Sequence, residues 1–474
     1  MTARAEGTGS GATDSIRVTD GDAVSVDELI ARTLRIPLDH VRGDLHYHAI
    51  VEWDSFAHAD LMGALEREHE TTIDADLTLT LTSVEAIRSF ARSHERARDG
   101  GQAKHATGSP HVPRGLRNVV IDETQITQIN GTKGLLRYRG YDAFVLARTH
   151  SFEDVLHLLV HGDLPTPERS ADFAGELWAA GGLPAEATDA VRSAAPVASA
   201  VEALCVGVSA LRTPSGVDPH GVTYQDALRA VTALPHILAI YHAARTGGPA
   251  LEPVRDQSYA ANLLRLLLQR QPSDEDAALV NQLLVLHADH DLNAATFALR
   301  VTVGAGGGAF LAFVAALATF AGHLHGGAIE AGARMLSEFE LEETGAFVDS
   351  VRSAGRPLYG FGSGIYRCPD PRAVYMLELA RARTLEPELQ VRLRKIDALV
   401  AAFSEQARHG LGPNDDLPTG LLYASLGLPE DLFIAIYACG RAAGWAAHAL
   451  EQSRNNVLIR PTMRYVGPPP RNPS

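Results

Sequence analysis

The run SFEDVLHLLVHGDLPTP, from Ser151 to Pro167, contains a whole helix with its start and its stop, and helix signals of this kind punctuate most of the chain. Ser151 caps the helix with Asp154 three residues on, Phe152, Val155, Leu158 and Leu159 make one apolar face, and Gly162 and then Pro165 end it. Thr166 followed by Pro167 opens the next helix. Strand-like alternation is confined to Asn118 to Ile121 and Leu135 to Arg137, too little for a parallel sheet. The expected fold class is all-α with small β decorations.

One stretch tests whether any of these helices crosses a membrane. Val301 to Gly322 has no charged residue, but Gly304, Gly306, Gly307 and Gly308 interrupt it, so only Ala309 to Ala321 reads as a helix, and as a buried core helix. Residues 1–19 have no apolar core of a secretory signal and read as a disordered tail. Cys205, Cys368 and Cys439 are odd in number and far apart, with no CxxC spacing. They point to a reducing compartment, and the expected location is the cytoplasm, with no membrane partner.

The net charge of −15 argues against nucleic acid as a partner, because phosphate binding needs a basic surface. Residues 20–95 hold sixteen Asp and Glu against six Arg and no Lys, a net of −10, which marks a separate acidic module. The polar segment 96–113, rich in Gly, Ser, His and Pro, reads as a linker to a helical body.

In the body, GLRNVVIDETQITQINGTKGLLRYRGYD is followed by LHADHDLNAATFALR, GHLHGGAIEAGARML and GFGSGIYRCPDPRA, then by PNDDLPTGLLYASLG and GRAAGWAAHALEQSRNNVLIRP. In order and spacing these segments resemble the citrate synthase family, nearly continuously over 114–474. The resemblance implies a homodimer with a large domain (114–326 and 431–474) and a small domain (327–430). It also implies an acyltransferase that condenses an acyl thioester with a 2-oxo acid, converting the acyl group to alkyl on transfer. By the same resemblance Asp416 is the base, its pKa raised by Leu417 and Pro418, and His325 donates to the enolate oxygen. His290 contacts the acceptor, with His287 behind it. Arg372, Arg441 and Arg460 bind the acceptor's carboxylates, Arg460 in the partner subunit's site. Three planar guanidinium groups suit a di- or tricarboxylate product.

Plainer readings stand beside these. Asp416 could cap a helix beginning near Thr419, and any one arginine could be a surface ion pair. His287, His290 and Asp291 have a spacing open to a metal, but without a third run of ligands no metal is expected.

The chain also departs from the family pattern. Asp415 stands where an apolar residue is usual, and Ser363 and Gly364 stand where the family has His-Arg. Ser363 keeps a hydrogen bond for the acceptor's ketone but no charge, with His323 as a second candidate for that role. The lost arginine implies that coenzyme A is not held in the usual way. Ile329 replaces an asparagine, and Ser199 and Ala200 replace a His-Pro pair.

The front module, from DELIARTLRIPL through YHAIVEWDSFAHADLMGALEREHE to SVEAIRSFA, is similar to an acyl carrier protein, expected as a small helical bundle over 20–95. The resemblance places a 4'-phosphopantetheine on Ser55 of Asp54-Ser55-Phe56 and implies a phosphopantetheinyl transferase, and acyl-loading enzymes, as partners. A phosphodiester at a helix N-terminus is electrostatically favoured, whereas the rival role for Ser55 is a plain N-cap. Glu66, Glu68 and Glu70 suit docking on basic partners. The combined expectation is a condensation, in specialised metabolism, of a thioester carried on the chain's own arm with oxaloacetate or a related 2-oxo acid. The alternatives are a conventional citrate or 2-methylcitrate synthase using free acyl-coenzyme A, and a non-catalytic dimeric carrier scaffold.

Overall fold

The computed structural model describes residues 25–47, 49–99, 114–116, 119–180, 182–213, 221–354, 356–404, 407 and 411–471. The expected N-terminal tail and residues 100–113 of the expected linker lie outside them. The linker begins later than expected, because the helix Val84–Asp99 runs four residues past 95 through Arg96, Ala97 and Arg98, all good helix formers.

Helices dominate the body. Ser151 and Asp154 form the expected reciprocal cap of Phe152–His161, Gly162 ends that helix at φ 102°, and Pro167–Ala180 follows. The strands differ from expectation. A small antiparallel sheet joins Thr127–Asn130, Leu135–Tyr138 and Tyr141–Asp142, pairing Ile129 with Leu136, while 119–121 is irregular and Asn118 lies outside the described residues. The hairpin closes because Asn130 Oδ1 accepts from Lys133 N at 2.9 Å and Gly134 adopts φ 60°, a turn chemistry that the short polar strand TQIN hides.

The body is organised around Phe433–Arg454, a helix whose residues are buried on every face from Ala435 to Leu450. It packs on Tyr224–Thr246, Ala294–Gly304, Asp274–His287 and Phe152–His161. Its small residues permit this. A Cβ at Gly444 would lie 2.2 Å from Asp289 Oδ1, and one at Gly440 would lie 3.1 Å from the Leu284 carbonyl. In the space so left, Gly444 N donates to the Ala288 carbonyl at 2.9 Å, joining the two segments backbone to backbone. Ala309–Phe320 buries one face and exposes Leu311, and no helix among the described residues is long and apolar enough to cross a membrane.

The front module has a core of its own. Val26–Leu34, Ser55–His69, Ala75–Thr80 and Val84–Asp99 enclose Leu29, Ile30, Trp53, Leu61, Leu65 and Ile87. Arg88 grips both Asp27 oxygens at 2.7 Å and the Val41 carbonyl at 2.9 Å. The module meets the body at Phe56, whose ring stands edge-on to Phe403 at 5.5 Å, and Phe403 in turn lies 5.5 Å from Phe361. Between the two units a crevice is lined by Asp54, Phe56 and Ala57 on one side and Val351, Ala354 and Arg356 on the other.

Removing the Phe56 ring deletes an edge-on aromatic contact worth about 1 kcal/mol beyond its buried area while leaving the module's core intact. Phe56→Ala should therefore move the module's urea transition to lower denaturant and leave that of the body in place, as followed by hydrogen exchange of amides in Val26–Leu34 against those in Phe433–Arg454.

Candidate active site

Four loops converge at the start of the helix Asp416–Ser425. Gly362 N donates to Gly412 O at 2.9 Å, Asn414 N to Gly360 O at 2.9 Å, and Asp370 N to Pro413 O at 3.1 Å. These bonds hold the 360–370 segment against 412–414. Gly360 is required for this: it sits at φ 80°, and a Cβ there would come within 2.2 Å of Leu417 Cγ, directly beside Asp416. The remaining two loops are the 287–293 turn and the 321–327 turn that carries His325.

Asp416 is the first residue of its helix, with Asp415 at the N-cap position making no side-chain cap bond, so the helix does not begin near Thr419 and the capping reading fails. Burial, and then the neighbouring Asp415 carboxylate, push the Asp416 carboxyl well above its ordinary range. Burial also works against ionised Asp415, but Arg372 first, then His287 and the Tyr437 hydroxyl, outweigh it and hold that carboxyl low. Arg372 Nη2 lies 2.8 Å from Asp415 Oδ1 and 2.7 Å from Asp370 Oδ2. Tyr437 Oη donates to Asp415 at 2.8 Å and accepts from Arg372 at 3.2 Å and Arg441 at 3.0 Å.

Arg441 is positioned from the buried helix by its Nε, which donates to the His287 carbonyl at 2.7 Å. His287 itself is fully buried, stacked on Tyr437 at 3.8 Å and bonded to Thr419 at 3.2 Å, and burial holds it neutral with a pKa lowered to about 3. His290 bonds Tyr366 Oη at 3.3 Å and is likewise kept neutral by burial and by Arg372 and Arg441. His325 is lowered to about 4, by burial and then by Arg441, so at neutral pH it is the uncharged imidazole that a hydrogen-bond donor role needs. Its Nε2 lies 3.3 Å from Asn293 Oδ1, which also caps the helix Ala294–Gly304 by accepting from Ala295 and Thr296. Among the described residues no group of three or more His, Cys, Asp or Glu is arranged to hold a metal ion.

His290, His325, Arg372, Asp416 and Arg441 thus share one buried cluster. Ser363 lies at its edge but turns its hydroxyl inward, accepting from Ile365 N at 3.1 Å and Tyr366 N at 2.9 Å, which braces the turn that aims Tyr366. His323 is exposed. Arg460 is exposed on the C-terminal segment that follows Phe433–Arg454, outside the cluster. Ser199 has become the N-cap of Ala200–Ser209, closing a capping box with Glu202, and Ile329 is buried in the helix Ala328–Met335. Tyr366, Tyr437 and Asn293 belong to the site and were not singled out from the sequence. Tyr437 could have been found, because it stands four residues, one helical turn, before Arg441.

In the front module the N-cap of Ser55–His69 is Asp54, whose Oδ1 accepts from Ala57 N at 2.8 Å. Ser55 is the first residue of that helix.

Comparison with known proteins agrees with this arrangement. The family model "Citrate synthase, C-terminal domain" matches residues 115–462. A citrate synthase of Haloferax volcanii is 35% identical over 369 residues, covering 76% of this chain and 97% of that protein. The structure superposes on citrate synthase from Thermotoga maritima with a TM-score of 0.69 at 29% identity, covering 75% of this chain and 96% of that one. For the Thermoplasma acidophilum enzyme in its ternary complex with carboxymethyl coenzyme A and oxaloacetate the TM-score is 0.71 at 28% identity, covering 77% and 98%. The front module falls outside the family match.

Gly360→Ala tests the geometry beneath Asp416. Left-handed strain and the clash with Leu417 together should destabilise the protein by about 3 kcal/mol, read as a lower urea midpoint at unchanged slope.

Proposed function

The chain belongs to the citrate synthase family, and on that premise we propose that it joins the α-carbon of an acyl thioester to the ketone carbon of a 2-oxo acid. The observation that carries this reading is the placement of Asp416 and neutral His325 in one cluster with the buried guanidinium groups of Arg372 and Arg441. Ionised Asp416 takes a proton from the thioester's α-carbon while His325 donates to the oxygen that becomes the enolate. The enolate carbon then attacks the ketone of an acceptor held on its carboxylate side by Arg441, with His290 and Tyr366 on the ketone side. Oxaloacetate, named in the Thermoplasma complex, and related 2-oxo acids form the acceptor class.

The thioester, in this reading, is carried on 4'-phosphopantetheine at Ser55, attached by a phosphopantetheinyl transferase and charged by acyl-loading enzymes. Support comes from two features: the Asp54-Ser55-Phe56 start of a helix, with Asp54 as its N-cap, and the lining of the inter-unit crevice by Asp54, Phe56 and Ala57. Tethering would raise the local thioester concentration to the order of millimolar, which compensates for the missing arginine after GFG. Homodimer formation belongs to the same reading. The C-terminal segment exposes Val457, Leu458, Met463, Tyr465 and Val466, a surface suited to a second subunit, and would bring Arg460 to the neighbour's site. Cytoplasmic location fits three free cysteines. The conventional reading, with free acyl-coenzyme A, is favoured by one observation: the family match starts at residue 115, so the matched portion excludes the module.

Asp416→Asn should lower kcat roughly a thousandfold, the ordinary contribution of a positioned base. Because Asp416 ionises above the usual carboxylate range, kcat/KM should rise with pH across its acid limb. Asp415→Asn removes the like charge and should shift that limb to lower pH; a shift upward would assign the limb to another group.

Incubation with coenzyme A and a broad-specificity phosphopantetheinyl transferase should add one phosphopantetheine to the intact mass, absent in Ser55→Ala. Loss of the tethered reading would follow from equal turnover of free acetyl-coenzyme A by Ser55→Ala and by the modified protein.

A further inference from the structure

The acceptor pocket already contains a carboxylate of its own. Arg372 donates from Nε to Asp370 at 3.2 Å, from Nη2 to Asp370 at 2.7 Å, and from Nη1 to Tyr437 at 3.2 Å, and its Nη2 also pairs with Asp415 at 2.8 Å. A guanidinium has five N–H groups, and a two-point grip on an incoming carboxylate needs a pair of them on one edge. Arg372 has one N–H left, on Nη1, so no such edge remains, and its single positive charge already faces two carboxylates. Arg441 differs. Its Nε is on the His287 carbonyl and its Nη2 on Tyr437, but its Nη1 meets no protein acceptor among the described residues, so one edge is open.

Most other groups around the cluster carry no charge to add. His287, His290 and His325 are neutral, Tyr366 presents a hydroxyl to His290, and the Ser363 hydroxyl accepts from two backbone N–H groups. Arg367, the cation beside Tyr366, is held on the Ser363, Tyr366 and Gly364 carbonyls. Among the described residues of this chain, a second carboxylate would therefore have to compete for a guanidinium that protein acceptors already engage. Bringing it in would require displacing Asp415 from Arg372 and Tyr437, and so leaving a buried carboxylate unpaired.

We infer that Asp415 fills, at Arg372, the place an acceptor's second carboxylate would need, so that the acceptor is a 2-oxo acid with one carboxylate and an uncharged remainder. This rests on the condensation reading above, which it deepens by fixing the acceptor class. Asp415 is then a specificity-determining residue, and the two arginines do not imply a tricarboxylate product.

The test compares pyruvate and 2-oxobutyrate with oxaloacetate as acceptors for acetyl-coenzyme A and for the acetylated carrier form, with products followed by mass spectrometry. In the wild type, kcat/KM for a monoacid should exceed that for oxaloacetate at least tenfold, and Asp415→Asn should shift the ratio at least tenfold toward oxaloacetate. A wild-type preference for oxaloacetate overturns the inference and assigns the second carboxylate to Arg460 of the partner subunit. A ratio unchanged in Asp415→Asn overturns it as well. Should that variant not fold, calorimetric titration of the wild type with pyruvate and oxaloacetate decides: tighter monoacid binding supports the inference, tighter oxaloacetate binding overturns it. If no thioester and acceptor give product, yet pyruvate still binds more tightly than oxaloacetate, the condensation reading fails and the assignment of Asp415 stands.

Discussion

The close crossing of Phe433–Arg454 with the end of Asp274–His287 is the contact on which the site depends. With hydrogen alone at Gly440 and Gly444, the two backbones approach until Gly444 N bonds the Ala288 carbonyl. Arg441, between those glycines, is thereby held with its Nε on the His287 carbonyl, and Tyr437, one turn earlier, lies flat on the His287 ring. A helix buried on all sides has little positional freedom, so the arginine and tyrosine it carries are set as firmly as the core itself. The rest of the site is built from loops that meet this wall, tied by the Gly360–Asn414 and Gly362–Gly412 bonds.

The electrostatics follow from burial more than from any single pair. Burial first, and then the arginines beside them, keep three imidazoles neutral, and burial followed by the charge on Asp415 pushes the Asp416 carboxyl upward. Asp415 is stable there only with Arg372 and Tyr437 arranged around it. Asp415 therefore acts both on the ionisation of Asp416 and on the charge of Arg372.

Much of this was legible in the sequence because the helix signals are local. The Ser151 cap, the Gly162 stop and the order of motifs from GHLHGG to GRAAGW fix the fold class and bring His290, His325, Arg372, Asp416 and Arg441 together. What stayed hidden is relational. That Arg372 pairs with both Asp370 and Asp415 is invisible in a motif. Ser363 also braces a turn by accepting from Ile365 N and Tyr366 N, a task that uses its lone pairs and not its O–H and that the motif does not reveal. The strand Thr127–Asn130 escaped notice because TQIN is mostly polar and gains its order from pairing with Leu135–Tyr138. Arg460 shares no contact with the cluster in one chain, and its role depends on a second.

The ring of Phe403 touches Phe56 of the module on one side and Phe361 of the glycine loop on the other. Two contacts that share one side chain are thermodynamically linked. Any free energy by which an acceptor's arrival changes the packing of Phe361 on Phe403 must reappear, equal in size, as a change in the module's hold on the body. The fused chain would then sense acceptor occupancy in how tightly it keeps its own front module, and a released module would in turn weaken the acceptor by the same factor.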